Sequence, residues 1–187
     1  EGRHLTVSDS GWAKFAWGKI YGQWICGAVN VAYDTDKFVP AHLLVAIDHL
    51  KLTTFCAPPT IYRFLIKEDM SGCDFSTIHH CGTAGEPLNP EVVKRFREAT
   101  GHTIYEGFGQ SESPVLLANW GWDEIKVGST GKPNPLFDID IVDENGNSCE
   151  DGIVGSIVIK NGGKHPLGLF MEYLHDEEAM KRSWNDG

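Results

Sequence analysis

Three apolar runs of strand length, LTTFCA (52–57), TIHHCG (77–82) and HTIYEGF (102–108), are separated by segments whose apolar residues recur every three or four positions. That alternation restricts the fold more than any other feature of the sequence. Strands joined through helices of this length run parallel, and a parallel sheet needs helices on its faces because both faces are apolar. The class expected is therefore α/β: a mainly parallel sheet flanked by helices.

The connecting segments carry their own start and stop signals. Pro58-Pro59 opens the helix TIYRFLIKED, and Asn89-Pro90 opens another carrying Val92, Val93, Phe96 and Ala99, which Gly101 should end. Upstream, Pro40 introduces a helix with Leu43, Leu44, Ile47 and Leu50 on one side, preceded by a strand over Ala28–Tyr33. Ser8, Asp9 or Ser10 caps a first helix whose Trp12, Phe15, Ala16 and Ile20 predict a buried face, ending near Gly22 or Gly27.

Beyond Asp123 the periodicity changes. LFDIDIVDENGNSCEDGIVGSIVIK (136–160) alternates with a period of two around the turns Asn145-Gly146 and Asp151-Gly152, which predicts antiparallel hairpins in a small sheet or partial barrel. DEEAMKRSW predicts one short helix. Two units follow: an α/β unit over 1–123 and a β-rich unit over 124–187. The chain begins at Glu1 without Met and ends in SWNDG, a turn that opens toward a further strand, so a fragment of a longer protein is expected.

Composition excludes several classes of function. Sixteen Lys and Arg against 26 Asp and Glu give a net charge of −10, with no basic stripe for a phosphate backbone. The five cysteines are odd in number and lack CxxC spacing, against a disulfide framework or zinc site and in favour of a cytoplasmic, reducing location. No apolar run approaches the roughly 18–20 residues that cross a bilayer.

Within CGTAGEPLNPEVVKRFREATGHTIYEGFGQSES (81–113), two clusters of small residues and acids lie on either side of one helix. In an open parallel sheet, ligands sit beyond the carboxyl ends of the strands. One strand–helix crossover would bring GTAGEP and FGQSE to the same rim. Gly82, Ala84, Gly85 and Gly109 leave room for a flat base, Pro87 and Phe108 offer faces for stacking, and the hydroxyls of Thr83 and Ser111 suit phosphate oxygens. Glu112 supplies a hard oxygen for Mg²⁺, which joins one or two carboxylates to phosphate and water.

GTAGEPLNPE, YEGFGQSES and the later VGSTGKP resemble three successive core motifs of the AMP-forming adenylating enzymes. AGEPLNPEV, with SDSGWAKFAWGKIYGQWICGA upstream and HPLGLFMEYLHDEE downstream, is similar to the acetyl-CoA synthetase and medium-chain acyl-CoA synthetase branch. The likeness runs from about His4 to Gly187. It implies activation of a carboxylic acid by ATP to an acyl-adenylate, then transfer to coenzyme A with release of AMP. By position it implies that Gly85, Glu86 and Pro87 border the adenine, with Glu106, Gly107, Phe108 and Gly109 on its other side. Gln110 and Ser111 fall at the phosphates, with Ser111 and Glu112 the catalytic pair and Glu112 the Mg²⁺ ligand. Ser111 stands where threonine is commoner, and the hydroxyl is kept. Trp24, before Gly27-Ala28, matches a tryptophan lining the acid's tail, with Gly82 and Ala84 as the facing wall.

The resemblance also implies parts outside this sequence: a phosphate loop with its lysine, an aspartate that holds the ribose, and a C-terminal domain with a catalytic lysine. The 187 residues alone are then expected to be inactive. Two other readings stay open, a non-catalytic adenine-nucleotide-binding module and an adenylation domain that serves a carrier protein. His79 and His80 are adjacent in a strand and point to opposite faces, so they do not grip one ion. Asp138, Asp140, Asp143 and Glu144 make a solvated face leading into a turn, and Cys81 a buried strand thiol.

Overall fold

The computed structural model describes residues 2–184. In chain order, β1 (Arg3–Thr6) is followed by a π-helix (Lys14–Tyr21) that runs directly into α1 (Gly22–Ile25), then β2 (Val29–Asn30) and α2 (Pro40–His49). After these come β3 (Thr54–Cys56), α3 (Pro59–Leu65), β4 (His80–Ala84), α4 (Pro90–Thr100) and β5 (Ile104–Gln110). The remainder is β6 (Ser113–Ala118), β7 (Lys132–Pro133), β8 (Ile139–Val142), β9 (Ser156–Ile159) and α5 (Glu177–Ser183).

Seven strands form one sheet in the order β2-β1-β3-β4-β5-β6-β7. Pairing is parallel from β2 through β5, and antiparallel for β5–β6 and β6–β7. A second sheet pairs β8 with β9 antiparallel. The mainly parallel α/β architecture read from the sequence is thus the one present, with a β-hairpin unit after it.

The helices form where the local chemistry directs. Pro40 and Pro59 sit in the first turns of α2 and α3, where a missing N–H costs nothing. The Asn89 side chain accepts from the Glu91 N–H at 2.9 Å to cap α4, and Gly101 ends that helix at φ 79°, a left-handed conformation that glycine adopts without a Cβ penalty. In the same way Asp176 accepts from the Ala179 N–H at 2.9 Å to cap α5. Leu43, Leu44 and Ile47 of α2, Tyr62 and Leu65 of α3, and Val92, Val93 and Phe96 of α4 are buried against Leu5, Phe55, Cys81 and Ile104 of the strands. Tyr62 lies at the centre, edge-on to Phe55 (5.5 Å) and Phe96 (5.2 Å), and its hydroxyl donates to the Gly82 carbonyl at 3.0 Å.

Several expectations are corrected. The first helix does not bury a face: Trp12, Trp17, Tyr21 and Trp24 are each more than half exposed, and its start has no side-chain cap. The wider winding of a π-helix breaks up the stripe that a 3.6-residue period would build, and the strands beneath offer glycine and alanine rather than an apolar core. The strand expected over Ala28–Tyr33 shrinks to two residues, and β4 starts at His80, because Thr77 and Ile78 belong to a turn in which the Thr77 hydroxyl donates to Leu52 C=O. Ala99 is exposed on α4. β5 carries on through Gln110 and returns as β6, so FGQSE is mostly strand rather than loop. Of the expected SWNDG turn, Ser183 ends α5 and Asn185–Gly187 lie outside the described residues.

Candidate functional site

Strand alternation decides which residues reach the site. In β4, Cys81 and Thr83 turn into the helical core, while His80, Gly82 and Ala84 face the other side. In β5, Ile104 and Glu106 are buried, and Tyr105 and Gly107 share the face of His80 and Gly82. That face floors a cavity of about 720 Å³. Its small floor residues are Gly82, Ala84 and Gly107, and its aromatic walls include Trp12, Trp17 and Trp122. His80 and Tyr105 stack at 4.4 Å and 21° in the floor, and Trp120 stacks on Trp122 at 5.2 Å and 6°.

The parallel register brings the two motif clusters together. Ala84 pairs with Gly107, so Gly85, Glu86 and Pro87 leave β4 beside Phe108 on β5. Gly85, at φ 100°, makes the turn out of the strand, and a Cβ there would lie 3.5 Å from the Trp12 ring. The Lys14 ammonium donates to Ala84 C=O at 2.8 Å, and burial pushes its pKa down while the charge of Glu86 opposes the shift. The Glu86 carboxylate accepts from the Thr60 hydroxyl (2.9 Å) and from Arg63 (3.1 Å), which ties the motif loop to α3. Glu106 is 9% exposed. It accepts a long 3.4 Å bond from the Leu88 N–H, and burial raises its pKa while that bond opposes the rise.

Other predicted site residues sort by position. Gly109 lies in the β5–β6 bulge, where a Cβ would stand 2.6 Å from Pro114 C=O, so the hairpin itself demands glycine there. Ser111 is exposed on the two-residue turn and lines the large cavity. Gln110 lines both that cavity and a neighbouring one of about 510 Å³, into which Glu112 faces. The Thr83 hydroxyl donates to Ala57 C=O at 2.7 Å on the core side, away from the phosphate contact expected of it. Trp24 is outside the lining of the large cavity and connects to it through Tyr21 (6.5 Å) and Trp17 (5.7 Å from Tyr21). Cys81 is buried, its thiol pushed up to about 12 by burial. His79 and His80 line different cavities.

The donor set suits the groups implied. Glu112 keeps Oε2 without a hydrogen-bond partner among the described residues, which fits a cation held by one carboxylate and completed by phosphate and water. No cluster of three His, Cys, Asp or Glu side chains exists among the described residues. The sequence reading missed Lys14, Tyr105, Trp120 and Tyr173. A lysine in an apparently buried helix and aromatics scattered along the chain carry no local signal of convergence.

Relatives with this sequence pattern and fold exist. Mouse mitochondrial acyl-coenzyme A synthetase ACSM3 is 42% identical over 169 residues, covering 90% of this chain and 29% of that protein. Human mitochondrial ACSM4 is 38% identical over 173 residues, covering 92% of this chain and 30% of that protein. The chain thus spans under a third of the length of the curated relatives it matches. Among solved structures, the anthranilate CoA ligase AuaEII in complex with anthranoyl-AMP superposes with a TM-score of 0.87 at 26% identity, covering 97% of this chain and 34% of that one. Residues 5–174 match the family described as AMP-binding enzyme, and with β4, β5 and their rim loops inside that span, the chain belongs to this family.

Proposed function

We propose that this chain is the adenylate-binding portion of an AMP-forming acyl-CoA synthetase, an acid–thiol ligase. The observation that carries the proposal is the parallel pairing of β4 with β5, which sets GTAGEP and EGFGQSE side by side at one sheet rim over a cavity with small floor residues and aromatic walls. In the reaction a carboxylate oxygen of the acid bonds to the α-phosphorus of ATP as pyrophosphate leaves, and the thiol sulfur of coenzyme A then bonds to the acyl carbon as AMP leaves.

The part of each residue in this reading is the one the family motifs imply. Gly85, Glu86 and Pro87 border one side of the adenine, and Glu106, Gly107, Phe108 and Gly109 the other. Gln110 and Ser111 meet the phosphates. Gly82 and Ala84 wall the acid, and Trp24 extends the aromatic side through Tyr21 and Trp17. Glu112 would hold Mg²⁺, which when bound would supply charge neutralisation at the phosphates. The protein's contribution is placement and charge, without a protein nucleophile. The division into an adenylate-binding unit over 1–123 and a β-rich unit over 124–187 belongs to the same proposal, with β7 linking the second stretch to the main sheet. The 187 residues alone are inactive in this reading.

We assign the protein to a reducing intracellular compartment, in keeping with five free cysteines. The cytoplasm is the location read from the sequence, while the relatives carry the word mitochondrial in their names. No helix among the described residues is long and apolar enough to cross a membrane.

Pyrophosphate exchange by the full-length protein with a panel of carboxylates tests the reading. Glu112→Gln should lower exchange about a hundredfold, roughly 3 kcal/mol of transition-state stabilisation. Normal exchange by that variant removes Glu112 from the metal site. No exchange by the wild-type full-length protein with any acid ends the proposal.

A further inference from the structure

The turn between β5 and β6 is held from outside its own hairpin. The Phe170 N–H donates to Glu112 C=O at 2.8 Å, and the Tyr173 hydroxyl donates to Glu112 Oε1 at 2.7 Å. Both donors come from one short stretch, far along the chain from the turn they grip. Their rings pack against each other with centroids 4.7 Å apart at 58°. His165 braces the stretch: its Nε2 bonds Phe170 C=O at 3.0 Å, and its ring stacks on Trp184 at 4.8 Å. A backbone bond and a side-chain bond therefore fix Glu112 at two points on a supported platform.

The chemistry of this clamp is selective. A glutamate on a two-residue turn would otherwise sample many rotamers and lose that freedom on meeting a cation. A phenol donor fixes one carboxylate oxygen without cancelling its charge, as a lysine or arginine in the same place would. Oε1 is occupied and Oε2 is without a partner among the described residues.

We infer that Tyr173 is a positioning residue that presets the Glu112 carboxylate, with one oxygen pinned and the other presented to the divalent cation of the nucleotide. The inference rests on the reading of Glu112 as the Mg²⁺ ligand. Donors to metal-ligating groups commonly govern metal affinity by ten- to a hundredfold, and Tyr173 stands in that relation to Glu112.

The test is an Mg²⁺ titration of pyrophosphate exchange by the full-length enzyme at saturating ATP and acid, comparing wild type, Y173F, E112Q and the double variant. Y173F should raise the half-saturating Mg²⁺ concentration about tenfold, with the maximal rate restored by excess Mg²⁺ and the thermal midpoint unchanged. It should add nothing in the E112Q background. If E112Q exchanges normally, the reading of Glu112 as ligand fails, and this inference falls with it. If E112Q is impaired while Y173F titrates as wild type, the positioning role alone is overturned. Loss of fold in Y173F, or an equal fall in rate at every Mg²⁺ concentration, marks a structural strut and overturns it as well.

Discussion

The two faces of β4 and β5 are built from neighbouring residues and do opposite work. On one side Cys81 and Ile104 meet Tyr62 and Phe96 in a closed apolar core, with Thr83 satisfied by Ala57 C=O. On the other, Gly82, Ala84 and Gly107 leave space above the sheet that the first helix and its exposed tryptophans only partly roof. A period of two is enough to separate stability from function residue by residue. Large side chains close one face, and the missing side chains of glycine keep the other open.

The sharpest way to break this comparison is to exchange the effects of the two faces. Phe96, 1% exposed between Tyr62 and Phe75, should lose about 3–5 kcal/mol on truncation to alanine in chemical denaturation of the full-length protein. Its acid preference should not change among molecules that remain folded. A shifted preference in Phe96→Ala would show that the faces are not independent.

A smaller effect on folding, with a larger one on specificity, is expected on the open side. A Cβ at Gly82 would lie 3.7 Å from His80 Nε2, 3.8 Å from Cys56 Sγ and 4.0 Å from His80 Cδ2, all ordinary contacts. Gly82→Val should therefore change stability by no more than about 1 kcal/mol. In the proposed site it should move kcat/KM toward shorter acids by about tenfold or more, because its methyl groups would intrude on the space assigned to the acid. Competition between short and long carboxylates measures the ratio. An unchanged ratio takes Gly82 out of the pocket wall.

The smallest effect sharpens the comparison through pH. His4 lies under the first helix on the open side of β1, with Nδ1 2.7 Å from the Thr54 hydroxyl and Nε2 2.6 Å from the Thr6 hydroxyl. Burial, then the charges of Lys19 and His80, push its pKa down from 6.5 to about 4. Between those values the unfolded chain binds the proton more readily, so His4's contribution is full above pH 6.5 and is lost as pH falls to about 4. Denaturation midpoints across that range should fall with pH, and His4→Gln should flatten the slope by up to one proton. A slope unaltered by the substitution assigns the acid sensitivity elsewhere.

Much of the fold was legible because its signals are local. Pro40, Pro59 and Asn89-Pro90 mark helix starts, Gly101 marks a stop, and the apolar runs of β3 and β5 identify their own strands. The site was legible as two clusters whose crossover spacing makes adjacent parallel strands, and the Ala84–Gly107 pairing realises that adjacency. The β5–β6 hairpin was not legible, since its turn is Ser111-Glu112 with no Asn-Gly or Asp-Gly signal and its bulge hides the alternation.

By itself, the sequence determined the element types, the parallel order around β4 and β5, and which residue types border the rim, because propensity, capping and crossover length act over a few neighbouring residues. Tertiary structure alone decided that the tryptophan-rich first helix lies exposed above glycine-bearing strands, that Lys14 reaches Ala84, and that Tyr173 reaches Glu112 across 61 positions. Contacts of that kind depend on which surfaces meet after collapse, and no local pattern encodes the meeting.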